Sequence, residues 1–248
     1  MLKEDERIDQ VKLDGVKIIQ SKDVFAFSLD ALLLANFPSI PKRGTIVDLC
    51  AGTGAVGLFA RERQPETKAK FIEIEIQPRL ADMTKRSIEL NEFDNFEVLN
   101  IDGNDATKYI KKDSVDLLLC NPPYFKVNEK SPVNESEHHL IARHEVKFTL
   151  EQIIKTSADL LKMKGKFAMV HRPERLLEIL EEMKSNNIAP KRIQFVYPKQ
   201  NKDANILLIE GIKHGQTAGL KILPPLYMHD EEGEYTKEMK EKFYQRYE

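Results

Sequence analysis

Thr45-Ile46-Val47-Asp48-Leu49-Cys50-Ala51-Gly52-Thr53-Gly54-Ala55-Val56-Gly57 is the stretch whose reading decides the fold. Five residues rich in β-branched side chains read as a buried strand. A glycine turn follows, and from Ala55 the apolar spacing becomes helical. The three glycines match G-x-G-x-x-G, a spacing that allows a tight turn, a close approach of backbone to a ligand, and contact between helix and strand. Alone this signal is weak. Here a strand precedes it, a helix follows it, and a carboxylate, Glu73 or Glu75, stands about 20 residues on, as a dinucleotide or adenosine ligand requires.

Outward from this turn, short β-branched runs alternate with longer segments of 3.6-residue period, the pattern of βαβ units on a mostly parallel sheet. The spacing predicts seven strands at Thr45–Leu49, Lys70–Glu75, Phe96–Asn100, Val115–Leu119, Lys166–His171, Arg192–Tyr197 and Asn205–Glu210. Helices are expected at Ala55–Arg63, Pro78–Asn91, Thr149–Lys162 and Pro173–Asn186, with Pro78 and Pro173 as first-turn prolines. Ser28–Phe37 reads as an additional helix capped by Ser28, and Val11–Gln20 as a hairpin about Asp14-Gly15. The fold class is therefore α/β, a doubly wound, Rossmann-like sheet with a short N-terminal hairpin and helix. The chain divides as one domain: extension 1–44, core 45–211 containing a substrate loop at 121–148, and C-terminal extension 212–248. In such a sheet the first and fourth strands are neighbours, so Cys50 and Cys120 should lie close together as reduced thiols.

The composition narrows the function classes. The chain has 248 residues, 41% hydrophobic and 31% charged, so disorder and fibre are excluded. The longest run free of charged and hydrogen-bonding side chains, Gly54 to Ala60, is far below the roughly 20 residues that cross a bilayer. The acidic first residues do not read as a targeting peptide, and two cysteines make no disulfide framework, so a cytoplasmic protein without membrane partner is expected. A net charge of −2 gives no bulk attraction to a polyanion, which must meet a local patch. Ala189 to Pro225 holds six bases (Lys191, Arg192, Lys199, Lys202, Lys213, Lys221) against two acids, and the tail beyond it is acidic.

Asp48 bears on the ligand. A carboxylate aimed at a pyrophosphate would repel it, whereas a cationic ligand would be attracted. The pattern D-x-x-x-G-x-G resembles motif I of the class I S-adenosylmethionine-dependent methyltransferases, whose cofactor carries an ammonium and a sulfonium. Nicotinamide chemistry and a non-catalytic fold with a capping Asp stay open on this run alone. Glu75, at the strand tip, is better placed than Glu73 for a ribose diol; Glu73 reads as a solvated or paired strand charge. Asp102 stands where this class accepts a hydrogen bond from the adenine amino group, and equally where an Asp would make a turn before Gly103.

The most informative stretch for chemistry is Val115-Asp-Leu-Leu-Leu-Cys-Asn121-Pro122-Pro123-Tyr124. Two prolines directly after a buried strand force a rigid turn. An amino group conjugated to a ring is a poor nucleophile and needs acceptors on both N–H bonds. The Asn121 side-chain oxygen and the Pro122 carbonyl can supply them, and Tyr124 offers a stacking face. Asn-Pro-Pro-Tyr resembles motif IV of the amino-group methyltransferases, which act on adenine N6, cytosine N4 or a protein glutamine amide. The 28 residues from Asn121 to Phe148 form a long segment of weak periodicity at the ligand-binding end of the sheet.

Phe25–Phe37, Asn121–Tyr124, Ala142–Glu145, Gly165–Glu174, Ile206–Gly211 and Leu220–Leu226 together resemble the bacterial valine-tRNA adenine-N6 methyltransferases, from about residue 8 to residue 236. The resemblance implies S-adenosylmethionine as cofactor and tRNA as partner, with the adenine 3′ of the anticodon as target. It implies catalytic or substrate-holding roles for Asn121, Pro122, Pro123 and Tyr124, and cofactor contacts from Asp48, Ala51, Gly52, Thr53, Gly54, Glu75 and Asp102. Phe125, Arg143, Lys191 and Arg192 are the candidate substrate contacts. The alternatives are an N6/N4 amino-methyltransferase on another RNA or DNA, and a protein glutamine methyltransferase, although only 44 residues precede the first core strand, where chains of the latter type carry a substantial helical domain. His138, His139 and His144 lack the spacing of a closed zinc site, and methyl transfer from a sulfonium needs no metal. His171 reads as a rim or structural residue.

Overall fold

The computed structural model describes residues 2–10, 15–21, 29–124 and 148–244. In chain order the elements are β1 (Glu6–Gln10), β2 (Lys17–Ser21), α1 (Leu29–Asn36), β3 (Thr45–Leu49), α2 (Ala55–Arg63), β4 (Lys70–Ile74), α3 (Pro78–Leu90), β5 (Phe96–Leu99), α4 (Ala106–Tyr109), β6 (Val115–Cys120), α5 (Leu150–Leu160), β7 (Leu161–His171), α6 (Leu176–Ser185), β8 (Ile188–Lys199), β9 (Ile206–Lys213), β10 (Lys221–Ile222), β11 (Leu226–His229) and α7 (Lys237–Tyr244). Short 3₁₀ turns lead into α4 and α6.

The main sheet runs in the order β10-β8-β9-β7-β6-β3-β4-β5, with β11 also paired to β8. Strands β5, β4, β3, β6 and β7 are parallel, and β9 enters antiparallel between β7 and β8. All seven expected strands are present, and β10 and β11 add two short ones from the C-terminal extension, both parallel to β8. Successive strands leave β3 in opposite directions, β4 on one side and β6 on the other. This reversal opens a crevice at the carboxyl ends, where sheets of this kind bind ligands. Leu49 registers with Cys120, so the two cysteines are neighbours, and both are free thiols.

Alternation along the strands builds two cores. Ile46, Leu117, Leu119, Ala168, Val170 and Leu208 face α1 and α2. Val47, Leu49, Leu118, Phe167, Met169 and Ile209 face α5 and α6. Each of these Val, Leu, Ile, Phe and Met side chains, fully removed from water, contributes about 1.5–3 kcal/mol. Asp48 interrupts the first of these faces at a position where the pattern calls for an apolar residue.

Three boundaries differ from expectation for physical reasons. β7 begins at Leu161, directly out of α5, and β8 runs from Ile188 instead of Arg192, through Pro190. The register shifts between Pro190 and Arg192, and a bulge is the place where a strand accommodates a residue that cannot donate a ladder hydrogen bond. The hairpin's first strand is Glu6–Gln10, earlier than expected, and the turn residues 11–14 and the expected cap Ser28 lie outside the described residues. The hairpin is fastened to α3: Arg86 forks the Glu6 carboxylate at 2.7 and 2.6 Å, and the Ser87 hydroxyl accepts the Ile19 N–H at 2.9 Å.

Candidate active site at the carboxyl edge of the sheet

Beyond Leu49 the chain turns through three left-handed residues, Cys50 (φ 67°), Gly52 (φ 59°) and Gly54 (φ 76°). Glycine takes this conformation freely; at Cys50 it costs about 1–2 kcal/mol, which the surrounding bonds must offset. The Ala51 N–H donates to the Ile74 carbonyl at 2.9 Å and the Gly54 N–H to the Ala51 carbonyl at 2.8 Å. Thr53 Oγ1 accepts from Gln20 at 3.0 Å, and the Thr84 hydroxyl donates to the Gly52 carbonyl at 2.9 Å. The two glycines differ in kind. A Cβ on Gly54 would come 2.6 Å from the Thr84 methyl, so Gly54 serves close packing. One on Gly52 would meet nothing within 4 Å, so the loop turns open backbone toward the crevice there.

Three acids lie under this loop. Glu75, at the tip of β4, accepts the Gly52 N–H at 2.8 Å through one carboxylate oxygen and the Gln77 N–H at 2.8 Å through the other. Burial raises its pKa to about 7 against the opposing pull of those N–H groups. Asp48 and Glu73 are register partners on β3 and β4, and both are essentially fully buried. One Asp48 oxygen accepts the Gly57 N–H at 3.1 Å; the other, and both oxygens of Glu73, find no donor among the described residues except each other. Two carboxylates shut from water cannot both be charged at close range, so one must keep its proton and donate it. Burial raises both carboxyls, and among the described residues only Asp48 has a backbone N–H to stabilise its charge, so Glu73 is the one that keeps the proton. Glu73 is therefore neither solvated nor an ordinary ion pair. Asp48 stands behind the loop, bound to the start of α2. Asp102 accepts the Asn104 N–H at 2.9 Å and the Asn104 amide at 2.9 Å, so the turn reading of Asp102 holds in its geometry.

β6 delivers Asn121, Pro122, Pro123 and Tyr124 to the same edge, one strand over from the loop. The Tyr124 hydroxyl donates to Asn121 Oδ1 at 2.9 Å. Arg172 lies over the Tyr124 ring, its guanidinium carbon 4.9 Å from the centroid, and the His171 ring is tilted against it at 5.1 Å. Arg172 Nη1 also donates to the Asn205 carbonyl at 2.8 Å, linking this cluster to the turn between β8 and β9. Burial, then the charge of Asp30 in the first turn of α1, pushes the Tyr124 phenol well above its usual pKa. His171 Nδ1 accepts the Arg172 N–H at 2.8 Å, and burial, with Arg175 nearby, lowers its pKa to about 4, so the ring is neutral. Reading the sequence did not single out Arg172, which lies over the Tyr124 ring, while His171, expected as a rim or structural residue, lies against the same ring. The signal was available in the strand order, since the carboxyl end of β7 must lie beside that of β6.

Two candidate substrate contacts, Arg192 and Lys191, are engaged within the molecule. The Arg192 guanidinium forks Glu210 at 3.0 and 2.9 Å, reaches the Phe37 carbonyl at 2.9 Å and stacks on the Phe37 ring. Lys191 donates to the carbonyls of Gln216 and Ala218. Their charges are engaged inside the molecule, and Arg192 lies level with Glu210, three residues along β8 from the row of His171. Phe125 and Arg143, with His138, His139 and His144, lie outside the described residues. Among the described residues no group of His, Cys, Asp and Glu is arranged to hold a metal ion, and no helix is long and apolar enough to cross a membrane.

A family model described as methyltransferase small domain matches residues 16–188. The tRNA1(Val) (adenine(37)-N6)-methyltransferase of Bacteroides thetaiotaomicron is 32% identical over 143 residues, which is 57% of each chain, so this chain spans little more than half the length of that relative. The protein of the same name from Aliivibrio salmonicida is 24% identical over 200 residues, 81% of this chain and 79% of the relative. The crystal structure of a predicted O-methyltransferase, protein Atu636 from Agrobacterium tumefaciens, superposes with a TM-score of 0.68 at 24% identity, over 89% of this chain and all of that one. At that identity the likeness is one of fold.

Proposed function

Because the chain belongs to the methyltransferase small domain family, we propose that it methylates the exocyclic N6 amino group of an adenine in RNA, using S-adenosylmethionine, and that the target is the anticodon-loop adenine 3′ of the anticodon in a valine tRNA. The observation that carries this reading is the adjacency of the Asn121–Tyr124 turn and the glycine loop on neighbouring strands, with Leu49 level with Cys120.

The residues of the loop suit such a cofactor. Gly52 opens backbone onto the crevice, and the ionisable groups beneath the loop are the acids Glu75, Asp48 and Glu73, which favour a neutral adenosine and a cationic sulfonium over a pyrophosphate. Ala51, Gly52, Thr53 and Gly54 would line it, Glu75 would take the ribose diol, and Asp102 the adenine edge, while Asp48 acts from behind by holding α2 to the loop. When bound, that cofactor supplies an activated methyl group whose departure leaves a neutral thioether. The protein's part is to hold the nucleophile. Asn121 Oδ1 and the Pro122 carbonyl accept the two N–H bonds of the amino group, and Pro123 stiffens the turn that aims them. The Tyr124 ring offers the stacking face for the base.

For the tRNA, Lys199 at the end of β8 and Lys202 in the following turn replace Lys191 and Arg192 as phosphate contacts. Both are exposed at the catalytic edge, and Arg172 ties that turn to the Tyr124 ring through Asn205. The names of the two curated relatives support the choice of tRNA, and a cytoplasmic setting goes with it. The test is methyl transfer from labelled S-adenosylmethionine to an unmodified valine-tRNA transcript, beside the same transcript with guanine in place of the target adenine. Incorporation into the first alone is the expected result. Equal labelling of both, or labelling of a protein glutamine instead, refutes it.

A further inference from the structure

The hairpin strand β2 carries a polar side chain where its pattern calls for an apolar one. Ile18, Ile19, Gln20 and Ser21 are all buried, and the alternation of a strand puts Gln20 on the face of Ile18, which packs into the core against α1 and α2. A buried amide without partners costs free energy that an apolar residue there would not. Gln20 offsets that cost by donating its amide N–H to Thr53 Oγ1 at 3.0 Å, and Thr53 is buried as well. Thr53 stands between Gly52 and Gly54, both left-handed, in the loop that opens its backbone onto the crevice. From α3 the Thr84 hydroxyl donates to the Gly52 carbonyl at 2.9 Å. Two successive residues of the loop are therefore held from outside it, one by the helix and one by the hairpin. The hairpin is itself fixed to that helix: the Lys17 N–H donates to Asn91 Oδ1 at 2.9 Å, the Ile19 N–H donates to the Ser87 hydroxyl oxygen at 2.9 Å, and the Ile19 side chain packs with Leu80 and Met83.

On the cofactor reading given above, we propose that Gln20 is a positioning residue for S-adenosylmethionine: by holding Thr53 it fixes the Gly52–Thr53 backbone in the shape that receives the cofactor, so the N-terminal hairpin is part of the cofactor site and acts through the loop. The need arises from glycine. A glycine populates positive and negative φ about equally, so a loop with glycines on both sides of Thr53 has much backbone freedom to lose, and a ligand that must order it binds more weakly by that amount. At Gly52 no neighbouring atom lies within 4 Å of the Cβ position, so packing does not restrain the residue there and hydrogen bonds must. Thr53 is the place where a restraint from outside can act on both glycines at once. Its hydroxyl accepts the Gln20 N–H and still keeps its own proton to donate.

A role confined to hairpin stability has to be separated from this one, and coupling separates them. Gln20→Met keeps the length of the side chain and removes the amide donor. It is expected to raise the Kd for S-adenosylmethionine, read by titration calorimetry on the full chain, about fivefold, as the loss of one neutral hydrogen bond does. The KM for S-adenosylmethionine should rise by the same factor, with kcat at saturating cofactor within twofold. In a Thr53→Val background, where a methyl group replaces Oγ1, the same substitution should change the Kd by less than twofold, whatever Thr53→Val itself costs. A Gln20 that serves only the hairpin would lower the melting temperature and leave the Kd alone, or shift the Kd by one factor in both backgrounds, and either result overturns the proposal. Melting curves accompany every variant; Gln20→Leu replaces Gln20→Met if the latter is unfolded at the titration temperature, and the same two factors are compared. The wild type is titrated alongside with S-adenosylmethionine and with a nicotinamide dinucleotide. Binding of the dinucleotide alone refutes the cofactor reading itself, whereas binding of S-adenosylmethionine with a Gln20→Met Kd within twofold of wild type refutes the Gln20 proposal alone.

Discussion

The buried pair Asp48–Glu73 gives a measurable stability signature. Glu73→Gln puts an amide where the protonated acid stands, so a donor to Asp48 is retained and only the ability to ionise is lost. In the wild type Glu73 is fully buried and its pKa is raised well above 4.5, by burial first and the Asp48 charge second. The sign follows from linkage. Above the unfolded pKa the unfolded chain releases this proton while the folded chain keeps it, so the folded state binds more protons and stability falls as pH rises. Each pH unit in that window costs the wild type about 1.4 kcal/mol relative to a variant with no proton to hold. Between pH 5 and pH 7 the Gln variant should therefore gain up to about 3 kcal/mol on the wild type, while the two should be nearly equal at pH 5. Urea unfolding at half-unit pH intervals, with the m-value checked for constancy, gives the difference directly. A difference that does not change between pH 5 and pH 7 would mean that Glu73 is ionised in the folded protein or open to water, and the shared-proton arrangement would be wrong.

Asn121→Ala removes one of the two acceptors for the amino group and should lower kcat by about 10²–10³, with cofactor affinity within twofold by calorimetry. Glu75→Ala removes the partner of the Gly52 and Gln77 N–H groups and an acceptor for the ribose; it should weaken S-adenosylmethionine binding at least tenfold, read by the same titration, and a Kd within twofold of wild type would remove Glu75 from the site. Changing Lys199 and Lys202 together to Ala should weaken tRNA binding and reduce the slope of log K against log salt by roughly 1.5–2. Lys191→Ala, whose ammonium is bound to two carbonyls, should leave that slope unchanged. An unchanged slope in the double variant moves the phosphate contacts elsewhere.

What could be read in advance was whatever depends on local periodicity and on residues that punish the wrong backbone. Thr45–Leu49 and Ala55–Arg63 come out residue for residue, because a β-branched run, two left-handed glycines and a helical apolar period agree from Thr45 to Arg63. The pairing of β3 with β6 followed from chain order, and Cys50 and Cys120 are neighbours for that reason. The misses share one cause: they depend on what lies opposite in space. Arg192 looked free in a basic segment, but Glu210, eighteen residues away, is its register partner across β8 and β9. Arg172 lies over the Tyr124 ring, beyond the end of another strand, and nothing in its neighbourhood along the chain points there. The expected strand starts at Arg192, whereas β8 runs from Ile188 through Pro190, because a bulge there receives a proline that a regular ladder would not.

The acids beneath the glycine loop also explain why a literal G-x-G-x-x-G need not take a phosphate. The usual anion site combines free loop N–H groups with the start of a helix. Here the Gly52 N–H is bound to Glu75 and the Gly57 N–H to Asp48, so two of the donors a phosphate would use already face carboxylates. A phosphate charge brought within about 4 Å of one carboxylate would meet a repulsion of about 4 kcal/mol at an effective dielectric of 20, which is the same sum that attracts a cation. The raised pKa values follow from the same arrangement: with no cation bound, Glu75 and Asp48 titrate near pH 7, and a positively charged ligand beside them must lower both. Binding of such a ligand between pH 6 and pH 7 should then release protons to buffer, in an amount that falls as the pH rises through 7. Titration calorimetry in two buffers of different ionisation enthalpy measures that release. Proton uptake in place of release would show that the charge reaching the loop is negative, and would return the glycine turn to the pyrophosphate ligands that its spacing alone suggests.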